Sequence, residues 1–247
     1  GMIRAIALHE WRRLRAGMMF WLVLSFGQLI IAWLAFAQLE AFAGIAPRLK
    51  AAGSQLGATD LVIMPTFNTL VLLLLLSAPL LAMGSLASET QSGRIVMWLS
   101  SPASSSRIVL GKLMGLWLGM LPLLASTGLT LASLGLGIEL DWPRFILVAG
   151  GMLLFTLWLA SVALFVSGLF DHPAAALATS YGALLFLWLL DSFSNPDAPW
   201  YWLAILPHIK PWLQGLLRSQ DLLFFFATGG AAVMLSLYGI ARRRGEV

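Results

Sequence analysis

The chain has 247 residues, of which 60% are hydrophobic and only 11% are charged, and its mean hydropathy is +0.88. A soluble domain carries about 25% charged residues and could not bury this apolar surplus, so the composition excludes a soluble globular protein and favours a membrane protein. The net charge of +4 is better explained by lysines and arginines that set membrane topology than by nucleic-acid binding. The absence of cysteine excludes disulfides and thiol chemistry.

The first predicted element is an amphipathic helix over residues 2–17. Its arginines lie away from an apolar stripe whose members recur every three or four positions: Ile3, Ala7, Trp11, Leu14 and Met18. Such a pattern is typical of a helix that lies in the cytoplasmic interface of a membrane, among anionic headgroups. The alternative is a plain cytoplasmic extension of the first span.

Six segments are long and apolar enough to cross a hydrocarbon core about 30 Å thick, which takes roughly 20 residues. They are predicted at residues 18–37, 61–87, 108–137, 145–170, 174–190 and 222–241. Each must be helical, because lipid offers no partner for backbone polar groups. The expected fold class is therefore an all-α membrane protein.

We expect a single transmembrane domain over residues 1–247. Its parts in chain order are the interfacial helix 2–17, the first two spans within 18–87, a cytoplasmic segment 88–104, spans three to five within 105–190, an external segment 191–221, and the last span with a cytoplasmic tail, 222–247. An even number of spans places both termini on one side. That side holds ten of the fifteen lysines and arginines, so the positive-inside rule predicts that both termini are cytoplasmic.

The segment between the second and third spans, "SETQSGRIVMWLSSPASSS", is unusually polar for this chain. Ser88 and Gln91 match a capping box, and Pro102 follows a break, so the pattern predicts a short helix over 88–99 that ends before the third span begins. Ile95, Trp98 and Leu99 form an apolar patch at helical spacing. The patch suits docking of another protein, although anchoring of Trp98 among headgroups explains it equally well.

Two further features concern packing. Gly111, Gly115 and Gly119 give the third span a flat face, which suits close packing either within the subunit or against a second copy of the chain. The external segment 191–221 is predicted to form short helices. Its aromatic residues suit a membrane–water boundary: Trp200, Tyr201, Trp202 and Trp212.

The sequence lacks motifs for ATP hydrolysis, metal binding and nucleophilic catalysis. Leu113 stands where a Walker motif would need serine or threonine, the three histidines are far apart, and no nucleophile elbow occurs. We therefore expect no catalytic residue, no metal site and no cofactor in this chain. The charged residues fall near predicted span ends, so the spans are expected to lack the buried charge that an ion-coupled transporter needs.

The polar segment resembles the permease family of type-2 ABC (ABC-2) transporters. The similarity rests on Glu89, Gly93-Arg94, Ile95–Leu99, Ser101-Pro102 and Arg107–Lys112. Many relatives carry threonine at the position of Arg94. Residues 212–225, "WLQGLLRSQDLLFF", are also similar to the step into the last span of gliding-motility and nitrous-oxide-reductase-maturation permeases.

This resemblance implies the membrane half of an ATP-driven exporter in a bacterial inner membrane. Its partners would be two separate ATPase subunits that bind ATP and magnesium, a second permease copy or close relative, membrane lipid, and in some complexes an accessory extracytoplasmic protein. A coupling helix would contact the ATPase through Glu89, Arg94, Ile95, Trp98 and Leu99, with Asp171 and His172 as a second contact. The alternatives are a scaffold, a mechanical subunit that moves a partner protein, and, least favoured, an intramembrane enzyme.

Overall fold

A computed structural model describes residues 1–193, 195 and 197–246, and these residues form helices and no strand. The helices are α1 (Met2–Ala16), α2 (Met18–Ala51), α3 (Met64–Ala82), α4 (Ala87–Gln91), α5 (Ile95–Leu99), α6 (Ser105–Leu134), α7 (Trp142–Leu169), α8 (Pro173–Phe193), α9 (Leu206–Leu213) and α10 (Ser219–Arg244). A π-helical turn, Thr59–Ile63, leads into α3, and a 3-10 turn, Pro199–Leu203, precedes α9. The all-α fold class is confirmed.

Among the described residues, six helical stretches are long and apolar enough to cross a membrane, as predicted. They are α2, the continuous stretch Thr59–Gln91, α6, α7, α8 and α10. The first span is longer than expected, because α2 continues from residue 38 to Ala51, where the sequence suggested a loop. Hydropathy falls after residue 37, but helix-forming residues such as Leu39, Glu40 and Ala41 continue the helix.

The core of the bundle lies along α3, α6 and α7, and α2 and α8 lie at the outside of it. α3 contacts α2, α6, α7 and α8. The outer helices leave large apolar side chains exposed, including Trp33 on α2 and Phe186 on α8. These faces suit acyl chains or the surface of another membrane subunit.

The glycine stripe of α6 packs against α1. A β-carbon at Gly111 would meet Ile6, one at Gly115 would meet Glu10, and one at Gly119 would meet Leu14. Both helices advance by four residues at each contact, so α1 and α6 run side by side in the same direction. The face that the sequence left open to a second permease copy is therefore occupied within the chain.

The buried face of α1 differs from the predicted stripe. It consists of Ile6, Ala7, Glu10 and Leu14, while Ile3 is exposed. The charged Glu10 could not be assigned to this face from apolar periodicity, because its burial depends on Lys112 of α6 as well as on Arg13 of α1 itself. Gly17 is extended and separates α1 from α2, so α1 is not a plain extension of the first span. Its location in the membrane interface stays a prediction.

We expect Gly115→Ala to loosen the contact between α1 and α6 and to destabilise the protein by about 1–3 kcal/mol, because overpacking at a fixed contact forces backbones apart. The added carbon would lie 2.7 Å from the Ala7 carbonyl oxygen and would overlap the Glu10 β-carbon. Gly128→Ala, on the same helix, is the matched control, since nothing lies within 4 Å of its added carbon. Thermal unfolding and protease cleavage near Gly17 measure the effect. Equal melting temperatures for both variants would contradict the close contact.

The segment that precedes the last span contains the predicted short helices, in the 3-10 turn and α9, although Ser194 and Pro196 of this segment lie outside the described residues. Trp200 and Trp202 are exposed, as suits a membrane boundary. Trp212 is fully buried against Gly151 and Phe225, so its assignment to the boundary is wrong. An amphipathic α9 places Trp212 on its inner face.

Candidate functional site

One end of the bundle carries both termini, and we call it the base. It comprises α1, the segment 86–104 that contains α4 and α5, the loop 170–172 between α7 and α8, and residues 242–246 after the last span. The segment 86–104 is called the base segment. It is tied to the C-terminal residues by Arg244, which donates hydrogen bonds to the carbonyl oxygens of Ser101 and Ala103.

The base segment contains two one-turn helices rather than the single helix predicted over 88–99. Gly93 has a φ of +73°, a left-handed conformation that glycine adopts without strain, and it separates α4 from α5. The predicted capping box is wrong, because Ser88 lies inside α4 and its side chain does not cap that helix; the Ser167 hydroxyl of α7 instead accepts hydrogen bonds from the Leu86 and Ala87 N–H groups at its start. The turn changes which residues of α5 face inward.

A cluster of buried charges lies beneath the base segment. Lys112 is a fully buried residue of α6. Its amine lies 2.8 Å from a carboxylate oxygen of Glu89 and 3.4 Å from one of Glu10. It also donates a hydrogen bond to the Ser85 carbonyl oxygen at 3.1 Å. Arg13 completes the cluster with a 2.6 Å ion pair to Glu10. The cluster thus joins α1, α4 and α6 through paired charges, which is the condition under which charges are tolerated in a low-dielectric interior.

This cluster corrects two expectations. The spans were expected to lack buried charge, but Lys112 on α6 is completely buried, and so is Asp221 on α10 at the opposite end, where it contacts His208 and Arg218. Glu89 is 4% exposed and faces Lys112, so it is not available to a docking partner. Its carboxylate is held inward because Lys112 would otherwise be buried without a counter-charge.

The apolar residues of α5 are also distributed differently from the prediction. Ile95 belongs to the buried core, and Trp98 and Leu99 are half-buried against it. The Trp98 ring covers the Lys112 amine, which lies 5.1 Å from the ring centroid. Of the five predicted contact residues, only Arg94 is exposed. These residues therefore brace the base segment from within.

Two residues that sequence analysis did not single out form the outer face of α5. Val96 is 61% exposed and Met97 is 72% exposed, and Arg94 lies beside them in the chain. A single continuous helix over residues 88–99 would place Ile95 and Trp98 on its outer face. Under that assumption the sequence offered no signal that Val96 and Met97 face outward. A small apolar face on a braced turn is suited to protein contact.

The predicted second contact lies next to the base segment. Asp171 and His172 are exposed. Arg243 connects their loop to α4: it donates to the Gly168 carbonyl oxygen and to the Thr90 hydroxyl, each at 3.1 Å, and lies 3.7 Å from Asp171. In the sequence Arg243 is one of the ten basic residues that set the predicted topology, whereas the structure gives it a bridging role.

Glu10 adds a pH dependence to the base. Burial alone would raise the pKa of its carboxyl, but Lys112 and Arg13 outweigh burial and hold that pKa below its ordinary value. A group with a lowered folded pKa stabilises the protein fully above its unfolded pKa, about 4.3, and this contribution is lost as pH falls through the folded pKa. We expect the melting temperature of the wild type to fall more steeply below about pH 4.3 than that of Glu10→Gln. Parallel pH profiles would contradict this.

Within the described parts of the chain, no group of three or more His, Asp or Glu residues is placed to hold a metal ion. The base has an exposed apolar face on α5, buried side chains that hold the base segment in place, and an ion cluster that connects this segment to α6. A family model described as "ABC-2 family transporter protein" matches residues 4–193, which is more than half of the chain.

The chain belongs to the ABC-2 transporter family. Membership confirms the resemblance to an ABC-2 permease, and with the six apolar helices it identifies a multi-pass membrane component of an ABC transporter that associates with an ABC ATPase. Among curated proteins, none matches this chain closely enough to serve as a relative. The similarity to gliding-motility and nitrous-oxide-reductase-maturation permeases stays a prediction. The matched region runs from α1 to α8 and contains the base segment and the loop 170–172.

Proposed function

We propose that this ABC-2 family member is the permease subunit of an exporter, and that its ATPase docks on the exposed face formed by Arg94, Val96 and Met97. The supporting observation is the combination of an outward apolar face with an inward ion cluster on the same short segment. A passive loop between spans needs neither feature. Asp171 and His172, on the adjacent loop, supply the second contact.

The proposed complex contains two ATPase subunits, each binding ATP and magnesium, and two permeases that are identical or closely related. The base faces the cytoplasm of a bacterium whose inner membrane holds the complex, in agreement with the excess of arginine and lysine at this end. The exposed faces of α2 and α8 leave room for the second permease. An accessory extracytoplasmic protein is compatible with the exposed segment before α10.

The mechanism follows from the connections of the cluster. ATP-driven closure of the two ATPases would displace α5 together with the adjoining α4, and the ion pairs of Lys112 with Glu89 of α4 and Glu10 of α1 would transmit this displacement to α6 and α1. Movement of the third span relative to its neighbours then changes which side of the membrane the path between the permeases opens to. This chain supplies the coupling, and ATP chemistry takes place in the partner.

Purification of the tagged chain from its native membrane, with mass-spectrometric identification of what remains bound, tests the proposal. We expect an ABC ATPase, and we expect ATP hydrolysis by the complex to stop when the P-loop lysine of that ATPase is replaced. A chain that purifies without any ABC ATPase would contradict the proposal. Export of a labelled cargo from vesicles separates an exporter from the alternative in which ATP hydrolysis moves a partner protein.

A further inference from the structure

A groove of about 490 Å³ opens at the end of the bundle opposite the base, where α8 ends and α10 begins. We call it the external groove. The 3-10 turn contributes Tyr201 and Trp202 to its lining, α9 contributes Lys210, and the stretch between α9 and α10 contributes Gln214 and Arg218. The lining therefore combines aromatic, amide and cationic side chains, and it shares no residue with the base.

The external groove is built on an ion cluster between α9 and α10. Asp221 is fully buried and accepts hydrogen bonds from Arg218 on both carboxylate oxygens, at 3.0 and 3.2 Å. The buried ring of His208 has Nδ1 2.9 Å from Asp221 and Nε2 2.9 Å from the Trp202 carbonyl oxygen. Since both ring nitrogens face acceptors, these contacts fit the doubly protonated ring. In that form two cations surround one carboxylate, so the cluster is positive.

Two cations of the groove keep N–H groups for a further partner. The Lys210 side chain is 56% exposed and contacts Asp191 at 2.6 Å, which engages one of the three donors of its ammonium group. The Arg218 side chain is 43% exposed and donates through Nε and Nη2 to Asp221 and to the Pro207 carbonyl oxygen. In the described part of the chain its Nη1 has no hydrogen-bond partner. The groove therefore offers charged donors that are held in place by carboxylates.

The surroundings of the groove are those of a membrane–water boundary. Trp202 is 44% exposed, and an exposed tryptophan is typical of the headgroup level. Leu216 and Leu217, which directly precede Arg218, are 56% and 53% exposed. Apolar side chains beside a cation at this level suit acyl chains on one side and lipid phosphates on the other.

We propose that the external groove binds the phosphate of an anionic phospholipid in the adjoining leaflet. Lys210 and Arg218 donate to the phosphate oxygens through charge-assisted hydrogen bonds, and Leu216 and Leu217 contact the acyl chains. The exposed leucines favour a lipid over free phosphate, which has no apolar part to cover them. The proposal does not depend on where the ATPase docks.

The test measures lipid binding to the delipidated full-length chain in detergent by native mass spectrometry, with dioleoylphosphatidylglycerol as the probe. Lys210→Gln combined with Arg218→Gln removes both cations of the groove. Arg48→Gln combined with Lys50→Gln is the matched control, since these exposed residues at the same end of the bundle change the net charge equally and lie outside the lining. We expect the groove variant to bind its tightest lipid about tenfold more weakly, while the control stays within about threefold of the wild type.

The source of the phosphate is tested separately. We expect dioleoylphosphatidylcholine, whose choline cation offsets its phosphate, to bind the wild type more weakly than phosphatidylglycerol does. Inorganic phosphate in excess should leave the bound lipid in place. Displacement of the lipid by inorganic phosphate would overturn the proposal and assign the groove to a free anion. Equal loss of lipid in the groove variant and the control, or no loss in either, would also overturn it.

A milder variant keeps the test valid if the double variant does not fold. Replacing Arg218 leaves the buried Asp221 with His208 alone, whereas the half-exposed Lys210 pairs with Asp191 near the surface. Lys210→Gln alone is expected to keep the melting temperature of the wild type and to bind phosphatidylglycerol about threefold more weakly. Unchanged affinity in this folded variant would overturn the proposal.

Discussion

Lys112→Met is expected to destabilise the protein by about 3–5 kcal/mol, the cost typical of removing one partner from a buried ion pair. The substitution keeps a long side chain but leaves the Glu89 carboxylate without a cation and Glu10 with Arg13 alone. Because Glu89 is only 4% exposed, water replaces little of the lost partner. Thermal and denaturant unfolding of the purified chain in detergent, followed by tryptophan fluorescence, measure the loss.

The matched control is the double variant Lys112→Met with Glu89→Gln. It removes the uncompensated carboxylate while keeping side chains of similar size, so we expect it to regain a large part of the stability lost in the single variant. A double variant as unstable as the single one would show that packing around Lys112, and not charge, holds the base together. The account of the ion cluster as a link between α4 and α6 would then be wrong.

Val96→Asp combined with Met97→Asp is expected to weaken ATPase binding at least about 100-fold. Burying each of these apolar side chains in an interface contributes roughly 1.5–3 kcal/mol when it is complete, and a tenfold change in affinity corresponds to about 1.4 kcal/mol. Because both side chains point outward, the fold of the chain does not depend on them. The dissociation constant for the purified ATPase measures the effect.

Two control variants are compared with the Val96/Met97 variant. Leu136→Asp changes a residue that is 94% exposed outside the base, and we expect no change in ATPase binding. Ile95→Ala removes a buried side chain and should lower the melting temperature, since shortening a core side chain costs about 2–5 kcal/mol. Equal binding by the wild type and the Val96/Met97 variant would move the docking surface away from α5.

The six spans could be predicted because long apolar runs leave few alternatives to a membrane helix. The end of the first span could not, since hydropathy marks where lipid contact ends and α2 continues to Ala51 with more polar residues. The face of α1 that packs on α6 was predicted in part: Ala7 and Leu14 belong to the predicted stripe, but Ile6 and Glu10 were missed. Glu10 belongs to that face only because Lys112, 102 positions later in the chain, provides its counter-charge.

The position of the candidate site was predictable and its orientation was not. The polar segment between the second and third spans was recognised from its composition, but a single helical wheel was applied across Gly93. The left-handed turn at Gly93 breaks that register, so Ile95 and Trp98 face inward while Val96 and Met97 face outward. The acidic residue in an otherwise basic α1 and the glycine stripe on α6 were the available signals for the ion cluster.

Site-specific photo-crosslinking in the native membrane tests ATPase docking at α5 most directly. A photoreactive amino acid replaces Met97 in one sample and Leu136 in another, both exposed positions that tolerate a new side chain. We predict a covalent adduct with the ABC ATPase from position 97 and none from position 136. No adduct from position 97, or adducts of equal yield from both positions, would contradict the docking of the ATPase on the base segment.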